Sequence, residues 1–289
     1  GDVFMEPINI MINGMPGKVA SKMAQIAIAD KRFNVIPFSL TGQEIENKTQ
    51  IIDSTSFELV KPDTRDKRIQ EIKSFFASFI AIDYTHPSAV IKNAFFYTQN
   101  LIPFVMGTTG GDREKLEQLV SNSSTMAVIA PNMAKQIVGF QAMMEYAANT
   151  FPNLFKGYTL SVVESHQKGK ADTSGTAKAM VDCFNKLGTD FDQKQIQMVR
   201  DPETQEKDWK IPKEYLAGHG WHTYTLKAKD GSALFEFKHN INGRDIYAKG
   251  TFDAVLFLKE KLARPGNPKK LYTMIDVLNS VSGQALNTC

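Results

Sequence analysis

Between residues 164 and 177 the chain reads Glu164-Ser-His-Gln-Lys-Gly-Lys-Ala-Asp-Thr-Ser-Gly-Thr-Ala177. A histidine, two lysines, an aspartate and a Ser-Gly-Thr turn are held between two contrasting patterns. Residues 158–163 alternate like a half-buried strand, and residues 177–184 read as a helix. Backbone N–H groups at a helix start lack intrahelical partners and favour an anion. Lys170 adds a fixed positive charge and His166 a titratable one. The chemistry on offer is capture of a carboxylate with a proton donor beside it. The plainer alternative is that Ser174 or Thr173 caps the helix, that His166 is one more polar residue at a strand end, and that the lysines are solvated.

A second candidate site opens the chain. Residues 8–12 read as a strand, Asn13-Gly-Met-Pro-Gly-Lys-Val-Ala20 follows, and Val19, Met23, Ile26 and Ala27 share one helical face. Strand, glycine turn, helix is the setting in which such a turn holds a dinucleotide. Gly14 permits the tight turn, Gly17 lets a pyrophosphate approach the helix start, and Ala20 is the small third residue needed for close helix–strand packing. The next strand, 33–39, ends where an adenosine ribose is met. An acid there would favour NAD, but Ser39, Leu40, Thr41 and Gly42 come first and the first carboxylate is Glu44. Ser39 and Thr41 are donors suited to a 2′-phosphate, so NADPH is the expected cofactor, with NADH possible.

The elements that must position these residues fall into two grammars. Residues 66–79 carry Ile69, Ile72, Phe75 and Phe76 at helical spacing, and a strand at 79–85 ends in Asp83-Tyr-Thr-His-Pro87. A helix from Pro87 to about residue 100 leads to a strand ending in Gly107-Thr-Thr-Gly-Gly111. A helix bearing Leu116, Leu119 and Val120 precedes a strand at 125–130 that ends in Pro131-Asn132. This alternation predicts a parallel sheet with helices on both faces, and ligands in such sheets bind beyond the strand C-termini. A long helix at 133–150 then changes the pattern. Strands at 158–166 and 195–200, a helix at 174–187, and a hairpin of 221–229 and 233–241 around Asp230-Gly231 predict a mixed α+β sheet. Leu226, Phe235 and Phe237 offer apolar faces for a partner subunit. Helices at 252–262 and about 270–278 close the chain.

Composition narrows the function classes. The 289 residues are 42% apolar and 22% charged with a formal net charge of +3, an ordinary globular balance with no field for nucleic acid. Small anions are the expected partners. Two cysteines, Cys183 and Cys289, make no disulfide framework, and with five histidines they form no metal-ligand spacing, so no metal is expected. Cys183 reads as a buried small residue, and a reducing compartment fits. No apolar run is long enough to span a membrane and no signal-peptide pattern opens the chain, so no membrane association is expected. Gly1-Asp2-Val3-Phe4 reads as a cloning remnant ahead of a native Met5.

Taken in order, Gly14-Met-Pro-Gly-Lys-Val19, Gly107-Thr-Thr109, Ala130-Pro-Asn-Met133 and Glu164-Ser-His followed by Asp172-Thr-Ser-Gly-Thr-Ala177 resemble dihydrodipicolinate reductase over nearly the whole chain. Asp83-Tyr-Thr-His-Pro87 and Arg244-Asp-Ile-Tyr-Ala248 also look like family elements. Gln167 stands where the bacterial pattern has a second histidine, and the turn after Lys170 is one residue shorter. With Gly107-Thr-Thr-Gly-Gly-Asp112 and Arg200-Asp-Pro202, these features resemble the plant-type branch. The resemblance implies an α/β protein: a Rossmann-like dinucleotide-binding domain at 1–131, an α+β mixed-sheet substrate and oligomerisation domain at 132–243, and a C-terminal segment at 244–289 returning to the first domain.

The implied reaction is NAD(P)H-dependent reduction of 4-hydroxy-tetrahydrodipicolinate to tetrahydrodipicolinate in lysine and diaminopimelate biosynthesis. The resemblance assigns His166 and Lys170 as the acid/base pair. Gln167, Ser174, Gly175 and Thr176 would meet the dicarboxylate substrate, and Arg244 would serve either its second carboxylate or the hinge between domains. Gly14, Met15, Pro16, Gly17, Lys18, Val19, Tyr84, Gly107, Thr108, Thr109, Ala130, Pro131, Asn132 and Met133 would contact the cofactor, with Ser39 and Thr41 at its ribose. A homo-oligomer, dimer or tetramer, is implied. The cytoplasm is the expected location, or a chloroplast stroma after removal of a transit peptide. Two other readings stand beside this one. A reductase of another cyclic imine or of an amino-acid semialdehyde is kept open by Gln167. A non-catalytic NADP sensor would need no His/Lys/Ser-Gly-Thr cluster.

Overall fold

The computed structural model describes residues 6–264 and 266–285. Cys289 and the first five residues, with the expected native start at Met5, lie outside them. The chain divides into two compact units, one made of residues up to Lys135 together with those from Tyr247 onward, the other of Gln136–Ile246.

The first unit begins with β1 (Ile8–Asn13), α1 (Lys18–Ile28), β2 (Phe33–Val35), β3 (Phe38–Leu40), β4 (Thr49–Ile52), β5 (Thr55–Val60) and α2 (Arg65–Phe75). It continues with β6 (Ile80–Asp83), α3 (Val90–Gln99), β7 (Phe104–Met106), α4 (Arg113–Ser121) and β8 (Ala127–Ile129). The main sheet has the order β13-β8-β7-β6-β1-β2, where β13 is Leu271–Tyr272, and all its pairs are parallel. β6 and β7 are buried along their whole length, as a strand covered on both faces must be.

The closing helix expected at 252–262 begins earlier, at Asp245, and three further details differ from the sequence reading. The single strand expected at 33–39 is two. Pro37 has no N–H to add to a ladder, the chain turns through a Phe38 N–H to Ile36 carbonyl bond of 2.8 Å, and β3 leaves to pair with β5 in a separate sheet of order β3-β5-β4. The helix expected at 66–79 ends at Phe75, whose ring is 77% exposed, because Phe76, Ile69 and Ile72 already complete the face packed on the sheet. The segment expected to be helical from 270 first forms β13. Leu271 and Tyr272 extend the sheet beside β8, and α9 (Met274–Ala285) starts only after Thr273, whose N–H donates to Asp276.

The second unit holds α5 (Lys135–Thr150), β9 (Tyr158–His166), α6 (Gly175–Lys186), β10 (Gln197–Val199), α7 (Pro202–Lys207), β11 (His219–Ala228) and β12 (Leu234–Asn242); α8 (Asp245–Leu262) follows. Its sheet has the order β10-β9-β11-β12, parallel between β10 and β9 and antiparallel elsewhere. Leu160, Val162, Tyr224 and Leu226 face Met144 and Ala148 of α5 and Met180, Val181, Cys183 and Phe184 of α6. The apolar face offered for a partner subunit is therefore taken by the chain's own packing. Leu226 is fully buried, Phe237 packs on Phe140 and Phe184, and the half-exposed Phe235 lies against Phe155 and Tyr158. The opposite parity carries Thr159, Ser161, Val163, Trp221, Thr223 and Thr225, a largely polar face. Among the described residues no helix is long and apolar enough to cross a membrane.

Candidate active site

One candidate site is the turn after β1. Gly14 has φ of +120°, and a Cβ there would fall 1.9 Å from the Tyr84 carbonyl oxygen, so only glycine fits. The Gly14 N–H donates to Leu40 and the Gly17 N–H to Gly14, and Gly17 caps α1 with no side-chain bond. The helix start is thus left to an anion. Pro16, Gly17 and Lys18 are exposed and Val19 half-buried, while the Met15 side chain is in the core.

Ser39 does not present its hydroxyl as expected. It is fully buried, accepting from the Met15 N–H at 3.2 Å and donating to the Leu40 carbonyl, so it braces the turn. Thr41 Oγ1 is buried without a partner, the kind of orphan a ligand would satisfy. Glu44, distant by two residues in sequence, folds back so that a Cβ on Gly42 would meet its carboxylate at 2.3 Å. The strand end that lacks an acid in sequence has one in space. An uncapped helix start, a turn only glycine can make and an orphaned hydroxyl fit a dinucleotide.

Behind this turn lies a polar network that the sequence reading missed. Asp83 is fully buried and accepts from Tyr97 (2.6 Å), Thr108 (2.7 Å), Thr85 (2.8 Å) and Asn93 (3.0 Å). Asn13 ties it to the turn, donating to the Tyr97 hydroxyl and accepting from the Leu40 N–H. Burial first, then the charge of Asp83, holds the Tyr97 phenol well above its usual range. Thr108 is therefore occupied, whereas Thr109 is exposed. Arg113 donates to the Thr108 carbonyl and keeps a buried Nη1 without a partner. The Tyr84 hydroxyl donates to Thr251 at 2.5 Å, since the Thr251 proton goes to the Tyr247 carbonyl. Burial pushes Tyr84 to about 12. Ala130 and Met133 are buried, Pro131 is exposed, and Asn132 accepts from the Ala134 N–H.

Another candidate site is built on the end of β9. Glu164 shares the parity of Leu160 and Val162, so the fold carries a carboxylate inward. It is fully buried, accepts from Arg200 through both oxygens at 2.7 and 2.9 Å, and lies 2.5 Å from His166 Nδ1. Burial alone would raise its pKa, but the bonds from His166 and Arg200 outweigh that and hold it at about 2. An ionised carboxylate only accepts, so His166 Nδ1 carries the proton and Nε2 is the working nitrogen. Nε2 faces Gly220, where an added Cβ would lie 3.2 Å away. Arg200 also donates to the carbonyls of Lys170 (2.8 Å) and Asp172 (3.3 Å), and so ties the 167–174 loop to the same carboxylate.

The expected site residues around it are placed as follows. Lys170 is paired with Asp172 at 2.9 Å, and no hydrogen bond joins it to His166. Gln167 and Lys168 are exposed. Ser174 is the N-cap of α6, accepting from the Ala177 N–H, so its hydroxyl serves the helix, and the N–H groups of Gly175 and Thr176 open it. Arg244 is half-buried and has no ion pair among the described residues. It follows β12, whose Ile241 pairs with Gly220, which in turn pairs with His166.

Two braces behind His166 were not foreseen. Gln205 donates to the His166 carbonyl at 2.7 Å and to Ser165 at 3.0 Å. His219 donates from Nδ1 to the Tyr215 carbonyl, and its other nitrogen lies 2.8 Å from Ser165 Oγ. His222 sits edge-on to His166 at 5.1 Å, with its Nε2 2.9 Å from Ser174 Oγ, and stacks on His239 at 4.5 Å. Burial depresses both rings, to about 3 for His222 and about 4 for His239, and leaves His222 Nδ1, both His239 nitrogens and the Tyr224 hydroxyl without partners. Inward parity was the signal available for His222, Tyr224 and His239; Gln205, on a helix, and His219, on the other parity of β11, offered none.

A parallel dinucleotide-type unit joined to a mixed-sheet unit with a carboxylate-held histidine defines a two-unit nicotinamide-type reductase. Comparison with known proteins narrows this. Residues 8–133 match the family described as dihydrodipicolinate reductase, N-terminus, and residues 137–278 match its C-terminus. The chain belongs to the dihydrodipicolinate reductase family. It is 45% identical to 4-hydroxy-tetrahydrodipicolinate reductase 2, chloroplastic, of Arabidopsis thaliana, over 94% of this chain and 77% of that one. It is 26% identical to the 4-hydroxy-tetrahydrodipicolinate reductase of Aquifex aeolicus, over 94% of this chain and 98% of that one. Its fold is that of the dipicolinate-bound dihydrodipicolinate reductase from Paenisporosarcina sp. TG-14, with a TM-score of 0.63 at 18% identity over 92% of this chain and 97% of that one.

Proposed function

We propose that the chain reduces 4-hydroxy-tetrahydrodipicolinate to tetrahydrodipicolinate, the reduction step of lysine and diaminopimelate biosynthesis. The observation that carries this is the ring of His166, held through Nδ1 by buried Glu164 with Nε2 facing the space that Gly220 leaves empty. A nicotinamide cofactor, when bound, supplies the hydride. The chain's own residues do the rest. The Gly175 and Thr176 N–H groups and the Lys170 ammonium take one carboxylate, and Arg244 takes the second. His166 Nε2 delivers the proton that balances the hydride, a contribution of about two to four orders of magnitude in rate.

NADPH is the cofactor we favour, with Thr41 Oγ1 as a partner for the 2′-phosphate. NADH is the second reading, supported by the Glu44 carboxylate folded back against Gly42, since an acid near this strand end can accept from ribose hydroxyls. Assembly as a homo-oligomer through the open polar sheet face, and residence in a chloroplast stroma as the names of the plant relatives suggest, belong to the same reading. Coupled turnover tests it. With pyruvate, aspartate semialdehyde and the synthase that condenses them, NADPH is consumed faster than NADH, and only when the synthase is present. Glu44→Ala raises the NADPH preference further. Folded protein that binds a nicotinamide and oxidises neither would contradict the assigned substrate.

A further inference from the structure

Glu164 and Arg200 do more than fill the interior. Arg200 is one-sixth exposed and Glu164 not at all, and the two meet through a fork on both oxygens. The same carboxylate has His166 Nδ1 on Oε2 and the Ser174 N–H on Oε1. Each oxygen therefore carries one bond from Arg200 and one from the site. A carboxylate on Nδ1 fixes the ring's tautomer and stabilises its protonated form, and a guanidinium on that carboxylate draws charge away from the ring.

The histidines around His166 are neutral. His222 and His219 on β11 and His239 on β12 are all depressed by burial, so none carries charge at neutral pH. Lys170 is paired with Asp172. The charged group hydrogen-bonded to the ring is Glu164, the cation bonded to that carboxylate is Arg200, and the two act on the ring in opposite senses.

We infer that Glu164 and Arg200 are opposed positioning residues for the proton donor: Glu164 fixes the ring with Nε2 outward and favours its charged form, and Arg200 limits that bias while tying the substrate-binding loop to it. The inference rests on the reading of His166 as proton donor. A purely structural ion pair would cost stability and rate on removal but would not move the pH profile in opposite directions for its two partners.

Three variants test it: Glu164→Gln, Arg200→Met and the double variant, each compared with wild type by ring-nitrogen NMR and by the pH profile of kcat. The His166 signals are assigned by their loss in His166→Gln. Wild type is expected to show the neutral His166 ring as a single Nδ1–H tautomer. In Glu164→Gln the alkaline limb of kcat moves about one pH unit or more to lower pH. In Arg200→Met it moves to higher pH, and in the double variant it lies between. Either single variant leaves one charge buried, so one that fails to fold is replaced by the double variant, which removes both. There the expected result is a mixture of tautomers and a kcat reduced tenfold or more with NADPH affinity unchanged.

Limbs that move together or not at all, a wild-type ring protonated on Nε2, or a double variant with the wild-type tautomer and an undiminished kcat would overturn the inference. The ring spectra need no turnover. A wrong substrate assignment would silence the kinetics and leave the tautomer result standing.

Discussion

The role proposed for His166 needs its Nε2 edge clear, and Gly220 leaves that edge free of a cross-strand side chain. The register sets Gly220 directly across from His166 on the neighbouring strand, where a methyl group would sit 3.2 Å from Nε2. Gly220→Ala is expected to lower kcat at least tenfold, since displacements below 1 Å at a reacting group are costly, while the melting temperature stays within about 5 °C of wild type. An unchanged kcat in steady-state assays would mean that the ring works from another edge. His222 supplies a second prediction. Its folded pKa of about 3 lies below the ordinary 6.5, so on acidification the unfolded chain takes up the proton first. Its contribution is complete above pH 6.5 and is lost as pH falls towards 3, about 2 kcal/mol by pH 5. Glu164 adds a lower window, complete above 4.5 and lost towards 2. Urea unfolding should give a level midpoint from pH 8 to 7, then a fall by pH 5 that is shallower in His222→Gln. A midpoint at pH 5 equal to that at pH 8 would contradict the buried, neutral ring. The His166 stretch could be found in the sequence because its residue types are unusual together. Glu164 could be quoted but given no role, because the partner that makes it useful, Arg200, is 36 residues away.

At the scale of elements, alternation and helical periodicity made β9, α6 and the β11–β12 hairpin legible, since each has one apolar face. They failed where tertiary pairing overrode a local pattern. The break at Pro37 depended on β5 being available to take β3, and β13 is a two-residue strand that only its neighbour β8 makes. The Asp83 network was hidden for a similar reason: its donors come from the turn after β6, from α3 and from the turn after β7, and no short motif joins them all. Tyr97→Phe tests how far the nucleotide turn leans on that network. It removes one donor from a buried carboxylate and leaves Asn13 Nδ2 without its acceptor. The expected cost is about 1–3 kcal/mol in chemical denaturation, with weaker NADPH binding because Asn13 also holds the Leu40 N–H. Stability and binding both equal to wild type would place the turn's rigidity elsewhere.

For the molecule as a whole, the formal net charge of +3 offers no field for a highly charged partner, and the proposed assembly uses the polar face of the second unit's sheet. Light scattering after size exclusion should give a multiple of 32.3 kDa, and Thr225→Arg on that face should return the mass to 32.3 kDa. A variant that keeps the wild-type mass would move the interface off this sheet. The claim on which everything else depends is that this chain is a reductase whose proton passes through His166. The most direct measurement is synthase-coupled NADPH oxidation by wild type and His166→Ala side by side, with NADPH binding measured on the same samples. The prediction is turnover by wild type and a loss of two orders of magnitude or more in the variant at equal NADPH affinity. Turnover undiminished in the variant would take the proton donor away from His166.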